Sequence, residues 1–237
     1  MISKELLKNE AKSHGIELND TALERFDKYA ELLVYWNERI NLTAITDPEE
    51  IVYKHFVDSL ILLKYVDIPE GAKLIDVGTG AGFPGLALLI ARPDLNITLM
   101  DSTKKKLGVI EDILSNIELS ANVVHFRAEE AGKSADFREQ YDFSTARAVT
   151  NLRDLSEICI PFVKQGGYFI PLKGAGAKEE IEDAKKAIDT LGGKLVKTDI
   201  FNLEACGERA VIHIEKISQT PPKYPRASAQ IAKKPLK

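Results

Sequence analysis

The chain has 237 residues, 44% of them apolar and 29% charged, the mixture of a folded protein and not of a disordered one. Its 32 basic and 36 acidic residues leave a net charge of −4, which argues against a general nucleic-acid coat and restricts any polyanion contact to a local basic patch. The longest apolar run, Leu86 to Ala91, is far short of the ~20 residues of a membrane span, and the opening MISKELLKNEAKSHG lacks the apolar segment of a signal peptide. Cys159 and Cys206 lack metal-ligand spacing and do not suggest a disulfide scaffold. The expectation is a soluble cytoplasmic protein of one domain with an appendage, with no membrane and no metal.

Residues 1–70 read as a helical extension. Asn19-Asp20 can cap a helix whose apolar residues Leu23, Phe26, Tyr29, Ala30 and Leu33 recur at spacings of three and four. Asp47-Pro48-Glu49-Glu50 starts another, with an acid as cap and proline at the first helical position; Ile51, His55, Ser59 and Leu62 then share one side. The turn Asp67 to Gly71 is the expected boundary, and residues 71–237 change rhythm. Strands are predicted at Lys73–Val77, Asn96–Asp101, Asn122–Phe126, Asp142–Ala146, Tyr168–Leu172, Lys194–Phe201 and Ala210–Glu215. Helical patterns fall between most of them, including Thr103–Asn116, Asn151–Val163 and Ala177–Leu191. This alternation predicts an α/β fold with a mainly parallel sheet covered on both faces. The last two strands have no helix between them and are expected to pair antiparallel.

The sharpest motif is Leu74-Ile-Asp-Val-Gly-Thr-Gly-Ala-Gly-Phe-Pro-Gly85. Gly78, Gly80 and Gly82 permit a tight turn with positive φ after the first strand, and Pro84 can open the next helix. A ligand can then approach bare backbone at the carboxyl end of the strand, where open α/β sheets bind ligands. Two cofactors compete with an ordinary glycine-rich turn. Gly80-Ala-Gly82-Phe-Pro-Gly85 fits the G-x-G-x-x-G dinucleotide fingerprint, and Asp76 with Gly78, Gly80 and Gly82 fits the D-x-G-x-G-x-G pattern of S-adenosylmethionine (SAM) methyltransferases. An acid at the strand tip suits the cationic sulfonium and amino groups of SAM and would repel phosphate. Asp101 can accept the ribose hydroxyls of either cofactor or cap the helix from Lys104. Glu129 and Glu130 read as an adenine contact or as an exposed charge pair.

The fourth strand ends in Phe143-Ser-Thr-Ala-Arg-Ala148, not in the N/D-P-P-Y/F segment of amino-group methyltransferases. Cys159 lies in an apolar helix and reads as core; His14, His55, His125 and His213 are scattered without metal spacing, and His125 and His213 read as structural. No general base is expected. A displacement at carbon with a sulfonium leaving group needs orientation when the acceptor, such as guanine N(7), already carries a free lone pair. Arg147 can orient SAM or substrate, bind a phosphate, or simply pair with Glu129 or Asp142. Residues Lys216 to Lys237 hold six cations and no acid. Prolines keep this tail extended, Tyr224 can stack on a base, and the alternative is a solvated tail. Lys104-Lys105-Lys106 reads as a solvated helix face, and Lys173-Gly174 as a strand end that can face substrate.

Together these residues resemble the small-subunit ribosomal RNA methyltransferase G family, also called glucose-inhibited division protein B. The likeness runs through Trp36-Asn37, Asn41-Leu-Thr-Ala-Ile45, His55 with Asp58-Ser59, Asp76 to Gly85 and Asp101-Ser102. It continues in Ala146-Arg-Ala148, Leu172-Lys-Gly174, Arg209 and Tyr224-Pro-Arg226. The resemblance implies a class I SAM-dependent methyltransferase with a seven-stranded Rossmann-like fold. It implies methylation of guanine N(7) in the 530 loop of bacterial 16S rRNA or the small ribosomal subunit; a monomer is the separate expectation. It carries SAM-binding roles onto Gly78, Phe83, Ala128, Glu129, Glu130 and Arg147, beside Gly80 from the loop and Asp101 from the end of the second strand, and places His55, Asp58, Lys173 and Arg226 near RNA. Three positions depart from the family pattern: Lys105-Lys106 replace Lys-Arg, Val109-Ile110 replace Phe-Leu, and Ala229 stands for a usual glycine. These bear on RNA contacts or packing, not on SAM.

Overall fold

In the computed structural model, which describes residues 1–236, the extension opens with α1 (Lys4–Ser13) and α2 (Asp20–Asn37). The Asn19 side chain accepts from the Ala22 amide at 2.8 Å, as a cap should, and the predicted stripe from Leu23 to Leu33 is buried. Asp47 caps the next segment by accepting from the amides of Glu49 and Glu50. That segment is not one regular helix. A π-helical stretch, Ile51–Val57, lies between the short turns α3 (Pro48–Glu50), α4 (Asp58–Leu60) and α5 (Leu62–Tyr65). Ile51, His55, Ser59 and Leu62 are buried as expected, but so are Val52, Phe56, Val57 and Ile61, so the segment is covered nearly all round.

The seven strands are β1 (Lys73–Val77), β2 (Asn96–Asp101), β3 (Asn122–His125), β4 (Tyr141–Arg147), β5 (Val163–Lys173), β6 (Gly193–Leu203) and β7 (Gly207–Lys216). Their order is β3-β2-β1-β4-β5-β7-β6. The first five strands run parallel, and β7 pairs antiparallel with both β5 and β6, as the missing helix between the last two strands predicts. Crossovers are made by α6 (Gly85–Ala91), α7 (Lys104–Asn116), α8 (Ala128–Ala131), α9 (Leu152–Cys159) and α10 (Ala177–Thr190); α11 (Ser228–Lys233) closes the described chain. The extension, α6 and α7 share one core cluster, while α9 and α10 share the other, so the sheet is covered on both faces. Parallel β1 places Val77, and the parallel strands β2, β4 and β5 place Asp101, Arg147 and Lys173, at one carboxyl edge.

The boundary expected near residue 70 falls between α5 and β1, yet the two sides are packed together. Tyr29 Oη donates to the Ala81 carbonyl at 2.6 Å, and Trp36 Nε1 donates to Asp112 at 2.7 Å. The predicted helix Asn151–Val163 stops at Cys159 in a 3₁₀ turn holding Pro161, which lacks the amide needed to continue the ladder, and β5 begins at Val163. The tail is not a free extended segment. Tyr224 is 6% exposed and Lys216 only 1%, with Lys216 Nζ on Glu139 and Thr220 Oγ1. Arg138 donates to the carbonyls of Thr220 and Tyr224 and holds the tail on the body. Lys237, the last cation of the predicted basic tail, lies outside the described residues.

Candidate active site at the carboxyl edge of the sheet

The turn after β1 is built by its own hydrogen bonds. The amides of Gly78 and Thr79 donate to the Met100 carbonyl at 2.9 and 3.0 Å, and the Gly80 amide donates to Asp101 Oδ2 at 3.0 Å. Asp76 does not face a ligand, contrary to the sequence reading. It is fully buried, and its Oδ2 accepts from Thr79 Oγ1 at 2.7 Å and from the Gly85 amide at 2.8 Å. Burial pushes its carboxyl up to about 6 against the pull of those two bonds. The acid therefore fastens the turn to the start of α6, which begins at Gly85 and not at Pro84. A Cβ on Gly85 would lie 2.8 Å from Asp76 Cβ and 2.5 Å from Leu99, so glycine is the residue that fits.

Above the turn lies a cavity of about 390 Å³, lined by Gly78, Asp101, Ser102, Lys106, Ala128, Glu129, Ala148 and Val149 among others. Asp101 Oδ1 accepts from the amide of Thr103, the residue before α7, at 2.8 Å, while the carboxylate, 8% exposed, lines the cavity with spare lone pairs. Glu129 accepts from Ser228 Oγ, with Arg127 3.9 Å away. Glu130 lies in an adjoining hollow with His125 and Phe126. Two carboxylates and two cations, Lys106 and Arg127, sit at the cavity wall, and the three loop amides that would cradle a pyrophosphate are already donating elsewhere. The carboxylates can accept from the hydroxyl and amino groups of a nucleoside, and the turn lacks the free amides that a dinucleotide pyrophosphate uses. Lys106 lines this cavity, whereas the sequence placed it on a solvated face.

A second cavity, about 440 Å³, adjoins the first and is lined by Lys54, His55, Asp58, Arg147, Lys173, Phe201 and Arg209 among others. Ala148 lines both cavities and holds a left-handed backbone, φ 57°. Arg147 pairs with neither Glu129 nor Asp142. Its Nη1 bonds Asp58 Oδ2 at 2.8 Å and the Lys54 carbonyl at 3.2 Å, and its guanidinium lies 5.0 Å from the Phe83 ring centre. Arg209 Nε bonds the other Asp58 oxygen at 2.7 Å. His55 stacks on Phe83 with ring centres 4.5 Å apart. Arg147 Nη2 lies 3.4 Å from His55 Nδ1, and because a guanidinium only donates, Nε2 carries the ring proton toward Thr43 Oγ1 at 2.9 Å. Burial first, then the Arg147 charge, hold the imidazole down at about 3, so it stays neutral. Lys173 Nζ bonds the Thr150 carbonyl at 2.6 Å and Glu180 at 2.7 Å. A larger hollow of about 680 Å³ lies at the opposite edge, by Lys73, Asn96 and Asn122; ligands of open α/β sheets sit at the carboxyl ends, which makes the two cavities described above the candidate site.

The sequence model of GidB, described as rRNA small subunit methyltransferase G, matches residues 22–211. The chain is 47% identical over 227 residues to "Ribosomal RNA small subunit methyltransferase G" of Lachnoclostridium phytofermentans, covering 95% of this chain and 94% of that protein. This chain belongs to the rRNA small subunit methyltransferase G family. A methyltransferase G protein of Clostridium novyi is 44% identical, covering 98% of this chain and 96% of its own. The fold is also that of a SAM-dependent O-methyltransferase from Thermotoga maritima, with TM-score 0.55, 15% identity, and coverage of 80% of this chain and 72% of that one. The Methanococcus jannaschii fibrillarin pre-rRNA processing protein matches with TM-score 0.51 and 17% identity, over 65% of this chain and 71% of that one. The sheet is thus the α/β, Rossmann-like sheet of class I SAM-dependent methyltransferases.

In this member of methyltransferase family G, Gly78, Asp101, Ala128 and Glu129 come together around the first cavity, and the Gly80 amide reaches it by way of Asp101. Phe83 and Arg147 do not line it: Phe83 is 6% exposed between Tyr29 and His55, and Arg147 belongs to the second cavity. His55, Asp58 and Lys173 line the second cavity, but each is already engaged by a protein partner. Arg226 lines neither, because its guanidinium bonds both oxygens of buried Glu157. Tyr224 is too buried to stack on a base. Lys54, Arg209, Ala148 and Ser228 line the cavities without having been singled out as site residues. Arg209 carried a signal, a lone cation at the start of an apolar alternation; Ser228 carried none. Among the described residues there is no cluster of three or more metal-ligating side chains, and no helix long and apolar enough to cross a membrane.

Proposed function

We propose that the protein methylates N(7) of one guanosine in the 530 loop of 16S rRNA, acting in the cytoplasm on the small ribosomal subunit. The observation that carries this reading is Ala148, which lines both the nucleoside-fitting cavity and a second cavity rimmed by Lys54, Lys173 and Arg209. Gly78, Asp101, Ala128 and Glu129 would hold SAM, which supplies a methyl group on a sulfonium, a good leaving group. A Cβ on Gly78 would lie 2.9 Å from Val149, so bare backbone keeps this wall thin.

The chain's own contribution is positioning. His55 is neutral with its Nε2 proton directed to Thr43, and Asp58 is held between two guanidiniums, so neither is set to take a proton. A guanine N(7) lone pair needs none taken. Orientation at near-attack distance supplies ~7–11 kcal/mol in favourable intramolecular cases, which suits a site made of walls and fixed charges. Cationic Lys54 and Arg209 favour a polyanionic substrate despite the acidic whole. The test is incubation of unmethylated small-subunit particles with labelled SAM, followed by mapping of the modified base. Methyl on one guanine N(7) in the 530 loop is expected; no transfer to particles or free rRNA would overturn the proposal.

A further inference from the structure

The C-terminal segment, which the sequence offered as an RNA-binding tail, has a different placement. After β7 the chain turns back across the end of α9 and reaches the rim of the first cavity, where Ser228 lines the wall beside Ile158 and Glu129. We propose that this strap is a working wall of the cofactor pocket, with Ser228 as a positioning residue for Glu129 and the Glu157–Arg226 pair as its latch. The inference rests on the SAM-binding reading of that cavity.

Three observations carry it. The Ser228 hydroxyl donates to Glu129 Oε1, which leaves Oε2 for a ligand donor such as a nucleoside amino or hydroxyl group. Without that bond the nearest cation, Arg127, is 3.9 Å away with a side chain 62% exposed, too loosely held to fix the carboxylate. The latch is a two-point bond: Arg226 Nε and Nη2 meet Glu157 Oε1 and Oε2 at 2.8 and 2.6 Å, and the Arg226 amide adds a third bond at 2.8 Å. Glu157 is 2% exposed, so release of the strap would leave a buried carboxylate without its partner. The Tyr224 ring and Pro225 seat the strap, with Pro225 so close to Gly132 that a Cβ there would lie 2.9 Å from it.

The test compares wild type with Ser228→Ala by calorimetry with SAM and by kinetics on small-subunit particles. Loss of one neutral-to-charged hydrogen bond at a partly screened site is expected to weaken SAM binding and raise the KM for SAM about three- to tenfold. The kcat at saturating SAM and the KM for particles are expected to stay within about twofold of wild type, as uniform binding requires. Ser228→Thr is expected to restore the affinity, and Lys233→Ala on the same short helix to match wild type. Adding Ser228→Ala to Glu129→Gln is expected to cause no further loss, because the serine acts through that carboxylate. Unchanged SAM affinity in Ser228→Ala, or fully additive losses in the pair, would overturn the inference while wild-type binding stands. Failure of the wild type itself to bind SAM would instead overturn the reading beneath it.

Discussion

Asp58→Ala is the most informative single perturbation of the site. The carboxylate bridges two guanidiniums, with Arg147 at 2.8 Å and Arg209 at 2.7 Å. Asp58 and Arg147 side chains are 9% and 13% exposed, whereas Arg209 is 26% exposed. Removing one partner of a buried pair costs ~3–5 kcal/mol, because the remaining charge is left uncompensated. The second, wetter pair adds at most ~1 kcal/mol. A total of ~3–6 kcal/mol lowers the melting temperature by roughly 6–24 °C in a chain of this size. Urea unfolding followed by circular dichroism measures it, with the midpoint falling at constant slope. In the cycle with Arg209→Ala, the coupling is expected to be smaller than in the cycle with Arg147→Ala. A total loss below ~1 kcal/mol, or equal coupling to both arginines, would refute the reasoning that Asp58 is a buried clamp joining the helical extension to β4 and β7.

Gly85→Ala sets two effects against each other: alanine favours the helix by ~1 kcal/mol, but its Cβ meets Asp76 Cβ at 2.8 Å, an overpacking worth ~1–3 kcal/mol. Because Asp76 Cβ sits close to the backbone of a central strand, the clash is expected to win, and a chain as stable as wild type in denaturant would contradict this. For His55→Gln the readout is pH. Burial and Arg147 lower the imidazole from 6.5 to about 3, so between those values the unfolded chain binds a proton that the folded one does not. Its contribution is whole above about pH 6.5 and is lost as pH falls toward 3, while Asp76, raised from 3.8 to about 6, loses its contribution in the opposite direction, as pH rises. The stability of wild type minus that of the variant is expected to rise by ~1.4 kcal/mol per pH unit between about pH 4 and 6; a difference flat in pH would mean the ring is charged or wet.

The sheet was legible because the central strands hold short apolar runs set between helical periods, and the reversal of β7 was legible because Leu203 and Gly207 leave no room for a crossover helix. The glycine turn was legible as a turn, but not the aim of Asp76. β1 is buried on both sides, so an acid within it has no solvent-facing side and takes the nearest donors, Thr79 and Gly85. What the sequence hides is long-range pairing. Arg147 finds Asp58 across 89 residues, and Arg226 finds Glu157 across 69. Composition showed six cations at the end of the chain, not that Glu139 and buried Glu157 elsewhere would hold Lys216 and Arg226. The π-helical turn at Ile51–Val57 escaped for a related reason: apolar residues on every side leave no stripe whose phase would reveal the extra residue.

The turn after β1 also has a consequence for discrimination. A loop of this outline ordinarily welcomes phosphorylated nucleotides, but here Met100 and Asp101 already occupy the amides of Gly78, Thr79 and Gly80. A triphosphate or a pyrophosphate bridge arriving at this turn finds those N–H groups already spent on a carbonyl and a carboxylate. The turn therefore offers phosphate no amide cradle, and any hold on it would have to come from the Lys106 and Arg127 side chains at the cavity wall.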